Sequence, residues 1–227
     1  MGQTDRKQRE KEYKRNDIIN AAERVFFSKG YTNTSMDEVA KEAEYSKRTI
    51  YVYFSSKEQL YFEIMIRGYR LLLAQIEQRL AKASPTTAQA ELRCLFFAIL
   101  EFSKNYPAYF EAIMEYETTD AKELSGIEDG SKAECYALGE QLFGYLLRAL
   151  QNGIAQGDFK AGLDSRQAAL LLWACMVGVY NTAKKKADYL KTFHHTEAAD
   201  FVEESFNLVL TLISRNEANN GEKETTV

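Results

Sequence analysis

Proline is nearly absent from this chain, and its scarcity constrains the fold more than any other sequence feature. The 227 residues include only two prolines, Pro85 and Pro107. Because proline breaks helices by removing a backbone donor and clashing with the preceding turn, long segments are free to remain helical. Hydrophobic residues make up 45% of the chain, enough for a core that needs no disulfide or metal. The sequence therefore predicts an all-α protein.

Apolar residues recur at helical spacing along most of the chain, with capping residues at the boundaries. The first helix is predicted from Asn16 to a stop signal at Gly30. Two short helices follow, separated by a tight turn, with Ser35 and Ser46 as their N-caps. Helical segments are predicted at residues 36–43, 47–54, 57–80, 88–104, 107–117, 131–156, 165–189 and 197–215.

The N-terminus carries a basic arm. Residues 1–15 hold six cationic side chains against three acidic ones, although the whole chain has a formal net charge of −4. Such an arm is either a solvated tail or a contact for an anionic partner such as nucleic acid.

The sequence predicts no membrane partner. Its most apolar run, residues 168–180, is shorter than the ~20 residues that a helix needs to cross a bilayer. The charged N-terminus does not have the apolar centre of a secretory signal. We expect a cytoplasmic protein.

Two short helices joined by a tight turn, behind a longer helix and a basic arm, are the layout of a helix-turn-helix DNA-binding domain. The stretch GYTNTSMDEVAKEAEYSKRTIYVYFSSKEQLYFEIM resembles the DNA-binding domain of TetR-type transcriptional regulators. The resemblance covers residues 14–66 and is carried by the segments 30–31, 34–40, 46–54 and 57–60. It implies a three-helix DNA-binding domain at residues 16–60, behind the arm at 1–15.

The third helix separates an inward face from an outward one. Ile50 and Phe54 lie four residues apart and are predicted to face the core. Basic, hydroxyl and aromatic groups on the opposite face suit the phosphates and base edges of a major groove. Hydroxyls and cations at helix ends suit phosphate oxygens. The predicted DNA-binding residues are Lys14, Arg15, Thr34, Ser35, Lys47, Arg48, Thr49, Tyr51, Tyr53 and Lys57.

Each of these residues, taken singly, also fits a structural role, since serines cap helices, tyrosines pack and lysines are solvated. Two positions depart from the family pattern. Arg48 stands where a small residue is common, so the operator sequence of a relative does not transfer to this chain. Val52 stands where many relatives carry an aromatic residue, so no DNA contact is predicted there.

The resemblance implies that residues 61–215 form a helical domain for ligand binding and dimerisation. Residues 216–227 contain only one apolar side chain larger than alanine, so a flexible tail is predicted there. Residues 168–180 are apolar on all sides, which fits either a helix between its own core and a partner subunit or the central helix of a monomer. We expect a homodimer. The candidate ligand-binding residues are apolar side chains of the middle helices, where pockets tend to form: Phe110, Met114, Phe143, Trp173, Met176 and Tyr180.

The function that the resemblance implies is a TetR-like repressor that binds double-stranded operator DNA and is released by a small apolar or amphipathic effector. It also implies the mechanism. Effector binding moves the long helix that begins near Lys57 and so changes the separation of the two DNA-binding domains in the dimer.

A helical protein-binding adaptor and an enzyme are the alternatives. An adaptor would leave the basic arm and the outward face of the third helix unused. An enzyme is disfavoured because the sequence has no G-x-S-x-G, P-loop or G-x-G-x-x-G motif. The two histidines, His194 and His195, are too few and too close to form the Glu-x-x-His pairs of a di-iron bundle. We predict no catalytic residue, metal site or cofactor.

Overall fold

The computed structural model describes residues 3–117 and 130–215, and over these ranges the chain is all-α, as predicted. The described residues form ten helices, one more than the sequence predicted, and no extended strand. The helices are α1 (Gln3–Lys29), α2 (Met36–Glu42), α3 (Lys47–Tyr53), α4 (Lys57–Ala83), α5 (Ala88–Asn105), α6 (Pro107–Tyr116), α7 (Gly130–Gln156), α8 (Ser165–Lys185), α9 (Ala187–His194) and α10 (Ala198–Ile213). None of these helices is long and apolar enough to span a membrane. The tail predicted at 216–227 lies outside the described residues.

Helix α1 begins at Gln3, so the prediction that the first helix starts at Asn16 was wrong. The basic arm is the first part of that helix. Neither proline nor glycine interrupts residues 3–29, and most of the arm consists of strong helix formers. Side-chain pairs one turn apart support it, because Arg6 Nε lies 3.1 Å from Glu10 Oε1 and Gln8 donates to Glu12 over 3.4 Å.

The helix predicted at 165–189 is two helices, so that prediction was wrong in its last part. Helix α8 ends before Lys186, whose φ of −124° and ψ of 23° are not helical, and α9 begins directly after it. Lys184, Lys185 and Lys186 follow one another here. Cations favour the C-terminal end of a helix because they face its negative dipole end. The three lysines are therefore a stop signal that apolar periodicity does not detect.

The described residues fall into two compact units. The first unit lies within Met1–Gln75 and Glu101–Glu140, and the second within Ile76–Leu100 and Gln141–Val227. The first unit contains α1, α2, α3 and α6, and its fully buried side chains include Ile18, Ile50, Phe54, Leu60, Ile64 and Phe102. The second unit contains α8, α9 and α10, and α8 packs against α10.

A buried aromatic ring closes one end of the second unit. Phe159 follows α7, is 1% exposed, and pairs with Ser214 in an isolated antiparallel bridge. The carboxylate of Asp158 accepts the backbone N–H of Ala88 over 2.8 Å. The ring lies directly against the backbone of Gly153, where an added Cβ atom would stand 2.3 Å from two ring carbons and 2.7 Å from the Ala88 Cβ.

We therefore expect Gly153→Ala to lower the free energy of unfolding by about 1–3 kcal/mol, because both backbone and ring must shift to admit one methyl group. Gly139→Ala on the same helix is the control. Its Cβ would meet only the Tyr69 ring at 3.8 Å or more, so alanine there should stabilise the helix by up to about 1 kcal/mol. Urea unfolding measures both effects. Equal effects of the two substitutions would contradict this account of the Phe159 contact.

Candidate nucleic-acid interface

Local hydrogen bonds fix the ends of α2 and α3. The Ser35 hydroxyl accepts the Glu38 N–H over 3.3 Å, while the Glu38 carboxylate accepts the Ser35 N–H over 2.9 Å, which is the predicted capping box. The Ser46 hydroxyl accepts the Thr49 N–H over 3.1 Å and so begins α3. These bonds place the start of each short helix at the residue that the sequence predicted.

The turn between α2 and α3 is tight because one of its residues adopts the left-handed backbone conformation. Glu44 has a φ of 57°, and the Tyr45 N–H donates to the Ala40 carbonyl over 3.0 Å. The Glu44 N–H donates to the Lys41 carbonyl over 3.2 Å, which completes a Schellman motif. Glycine is usual at this position, so the chain accepts local strain to keep the turn short.

A salt bridge joins the end of α1 to the start of α2. The Lys29 ammonium is bonded to the Glu38 carboxylate, which is also the acceptor in the capping box. The bond from Lys29, followed by those from Ser35, lowers the pKa of Glu38 to about 2. Glu38 therefore remains ionised, and keeps both partners, at any pH near neutrality.

Ile50 on α3 and Phe54, the C-cap residue directly after α3, anchor this helix within the first unit. Both side chains are fully buried, as predicted. The Arg15 guanidinium lies 5.3 Å from the centre of the Phe54 ring and is paired with the Glu63 carboxylate. Glu63 also accepts the Ser131 hydroxyl over 2.6 Å. Arg15 therefore serves the anchoring of α3, and the Glu63 partner, 48 residues away, has no local sequence signal.

The opposite face of α3 is exposed. Arg48 makes no hydrogen bond or ion pair with any residue that the structure describes, and Tyr51 is 46% exposed. Lys47 is exposed but lies 2.7 Å from the Asp37 carboxylate, which partly neutralises it. The Thr49 hydroxyl lies 2.8 Å from that of Ser46 and belongs to the cap. Lys47 and Thr49 therefore have polar partners within the protein. Arg48 and Tyr51 are the predicted base-reading side chains that remain most available to DNA.

Three of the predicted phosphate contacts at helix ends, Thr34, Ser35 and Lys57, already have partners within the unit. Thr34 is buried and its hydroxyl donates to the Gly30 carbonyl over 2.8 Å. The Lys57 ammonium donates to the Tyr31 carbonyl over 3.0 Å and lies 4.3 Å from the centre of the Tyr31 ring. Ser35 caps α2, Tyr53 is half-buried, and Lys14 is exposed. Of the two basic residues predicted on the arm, Lys14 is therefore the exposed one.

The predicted ligand-binding residues lie in both units. Phe110 and Met114 are buried on α6 in the first unit, and Phe110 meets Phe102 edge-on with ring centres 6.4 Å apart. In the second unit, the four remaining residues are half-buried. They are Phe143 on α7 and Trp173, Met176 and Tyr180 on α8.

Helices α1, α2 and α3 together form the head of the protein. Its two short helices are capped, and α3 has one buried face and one exposed basic face. This arrangement defines a helix-turn-helix DNA-binding protein. Known proteins agree. The family model of bacterial regulatory proteins of the tetR family matches residues 18–64. The uncharacterized HTH-type transcriptional regulator YhgD of Bacillus subtilis is 30% identical over 145 residues, which are 63% of this chain and 70% of that protein.

A second relative and a solved structure extend the similarity along the chain. The HTH-type transcriptional repressor NicS of Pseudomonas putida is 27% identical over 187 residues, 82% of each protein. The crystal structure of AibR in complex with isovaleryl coenzyme A and operator DNA has a TM-score of 0.62 at 20% identity, covering 86% of this chain and 97% of AibR. The chain belongs to the tetR family and is a helix-turn-helix transcriptional regulator.

The two faces of α3 predict two kinds of variant. Arg48→Ala should leave the unfolding transition unchanged, because the side chain is exposed. It should weaken binding to a selected operator by about 1–3 kcal/mol, because it removes the predicted base contact. Phe54→Ala should cost about 3–5 kcal/mol of stability and lose DNA binding through unfolding of the head. Fluorescence anisotropy and thermal unfolding separate the two. A folded Arg48→Ala variant with wild-type affinity and specificity would contradict the assignment of α3.

Proposed function

We propose that this regulator is a cytoplasmic homodimeric repressor that reads operator DNA with α3 of each copy and is released by a small apolar or amphipathic ligand. The observation that carries the proposal is the division of α3. Ile50 and Phe54 hold the helix while Arg48 and Tyr51 remain exposed for a major groove.

Exposed apolar side chains on α8 and α10 support the dimer. On α8 the residues Leu171, Ala174, Gly178 and Thr182 follow one another at three- or four-residue spacing and are all exposed. They share one face of the helix. Leu208 and Leu212 on α10 are 61% and 60% exposed at the same spacing. Small residues let helices approach closely, and flanking leucines add apolar area, so two copies can bury both stripes in a four-helix seam.

We therefore expect light scattering to give a mass about twice the 26.0 kDa of one chain at micromolar concentration. Leu212→Glu should shift the equilibrium to the monomer, because a carboxylate would be buried without a partner. Tyr13→Glu, at a side chain that is 71% exposed on α1, is the control and should leave the dimer intact. A wild-type monomer would contradict the proposed dimer.

The first unit contains a polar connection through which a ligand can act on the head. Arg67 on α4 lies 2.9 Å from Glu23 on α1, and the Tyr109 hydroxyl on α6 donates to the same carboxylate over 2.5 Å. The Phe27 and Tyr109 rings meet edge-on with centres 5.0 Å apart. A displacement of α4 or α6 therefore changes the contacts of α1. A ligand that favours one arrangement shifts the population of DNA-binding dimers.

The test begins with selection of bound duplexes from a random pool, followed by a screen of apolar and amphipathic compounds for release. A releasing ligand at 100 times its Kd should stabilise the fold by about 2.7 kcal/mol and raise Tm. Trp173→Leu should weaken the ligand effect and leave operator affinity unchanged without ligand. Operator binding is contradicted if the selection enriches no duplex. Ligand control is contradicted if a broad set of apolar and amphipathic compounds releases no operator.

A further inference from the structure

One side of α1 is apolar and buried in the second half of the helix and cationic and exposed in the first half. Ile18, Ala22 and Val25 are buried and lie on one side of the helix at intervals of four and three residues. Continuing that side toward the N-terminus gives Lys14, Lys11 and Lys7, at intervals of four, three and four residues. Because all three lysines are exposed, the side of α1 that packs inside the head continues beyond it as a cationic surface.

This cationic surface borders a groove beside α3. The groove has a volume of about 300 Å³ and is lined by Gln8, Lys11, Glu12 and Arg15 of α1 and by Val52 and Tyr53 of α3. The first part of α1 therefore runs next to the end of the helix that carries Arg48 and Tyr51.

The chemistry of the groove suits a sugar-phosphate backbone. Arg15 is engaged by Glu63 and Phe54, so Lys11 is the exposed cation at the groove. The lining also includes the carboxylate of Glu12, which accepts the side-chain amide of Gln8 over 3.4 Å. Val52 is 71% exposed and gives one wall an apolar surface that tolerates a deoxyribose ring. An ammonium beside an apolar wall matches the alternation of phosphate and sugar along a DNA strand.

The length of the arm fits the same ligand. Residues from Gln3 to Arg15 extend along the helix axis for ~20 Å at 1.5 Å per residue. The major groove of B-DNA is ~12 Å wide, so a helical segment of this length beside α3 is long enough to span from α3 to the strand that borders the groove.

We propose that Lys7 and Lys11 on the first turns of α1 form a second DNA-binding site, which holds phosphates of the strand bordering the major groove that α3 enters. The proposal rests on the proposed function, because it requires α3 to lie in duplex DNA. It assigns the arm a role in affinity rather than in sequence reading, since phosphate contacts carry no base information.

The opposite face of the same helical segment provides a matched control. Arg6 and Arg9 lie on the side of α1 away from Lys7 and Lys11, and Arg6 is paired with Glu10. The double variants Lys7→Ala/Lys11→Ala and Arg6→Ala/Arg9→Ala remove the same charge. Alanine is the strongest helix former, so both keep α1 helical, and circular dichroism checks that they do.

The experiment measures operator affinity at several salt concentrations for the wild type and both variants. Each lost phosphate contact reduces the log–log salt slope by ~0.9, so Lys7→Ala/Lys11→Ala should reduce it by ~1.8 and lower affinity for every duplex sequence. The Arg6→Ala/Arg9→Ala variant should change the slope by less than half as much. Equal slopes for the two variants would overturn the α1 site, whereas a wild-type protein that binds no duplex would overturn the proposed function instead.

Discussion

The DNA-binding head depends on two buried side chains, one within α3 and one at its C-cap, because this helix is too short to be stable by itself. Helix α3 has seven residues, fewer than the ~12–15 at which an isolated helix becomes even marginal in water. Its conformation is supplied by the burial of Ile50 and Phe54 and by the Ser46 cap. Because both anchors lie on one face, the other face carries residues that folding does not constrain. Recognition and stability are separated on the same two turns of helix.

The anchor of α3 is connected to other helices of its unit through one carboxylate. Glu63 on α4 pairs with Arg15 on α1, whose guanidinium covers the Phe54 ring, and accepts the Ser131 hydroxyl at the start of α7. Charged hydrogen bonds of this kind are strong and directional. A shift of α4 or α7 therefore moves the Arg15 guanidinium and changes its contact with the Phe54 ring. The Glu23 connection from α4 and α6 to α1 is a second such link. The proposed ligand control requires coupling between α1 and the other helices of the first unit, of the kind that these contacts provide.

Signals confined to a few neighbouring residues predicted the short helices well. The capping box at Ser35, the cap at Ser46 and the inward pair Ile50 and Phe54 all follow from spacing within one or two turns, and the structure confirms them. The start of α1 was missed because apolar periodicity is absent from its charged first half. Helix formers and paired charges still keep that half helical.

Partners distant in sequence could not be predicted from a single chain. Arg15 was predicted to contact DNA from its charge and position, but its pairing with Glu63 spans 48 residues and depends on how α1 and α4 pack. Lys57 likewise turns its ammonium to the Tyr31 carbonyl, 26 residues earlier. The roles of both residues toward DNA therefore stay predictions, while Arg48 and Tyr51, which depend only on the register of α3, are exposed as expected.

A crystal structure of the protein on a selected operator duplex tests most directly whether α3 reads DNA. We expect α3 in the major groove, with Arg48 and Tyr51 against base edges and with Ile50 and Phe54 still buried in the head. A complex in which α3 lies outside the groove, or in which another face of the protein contacts the bases, would contradict it.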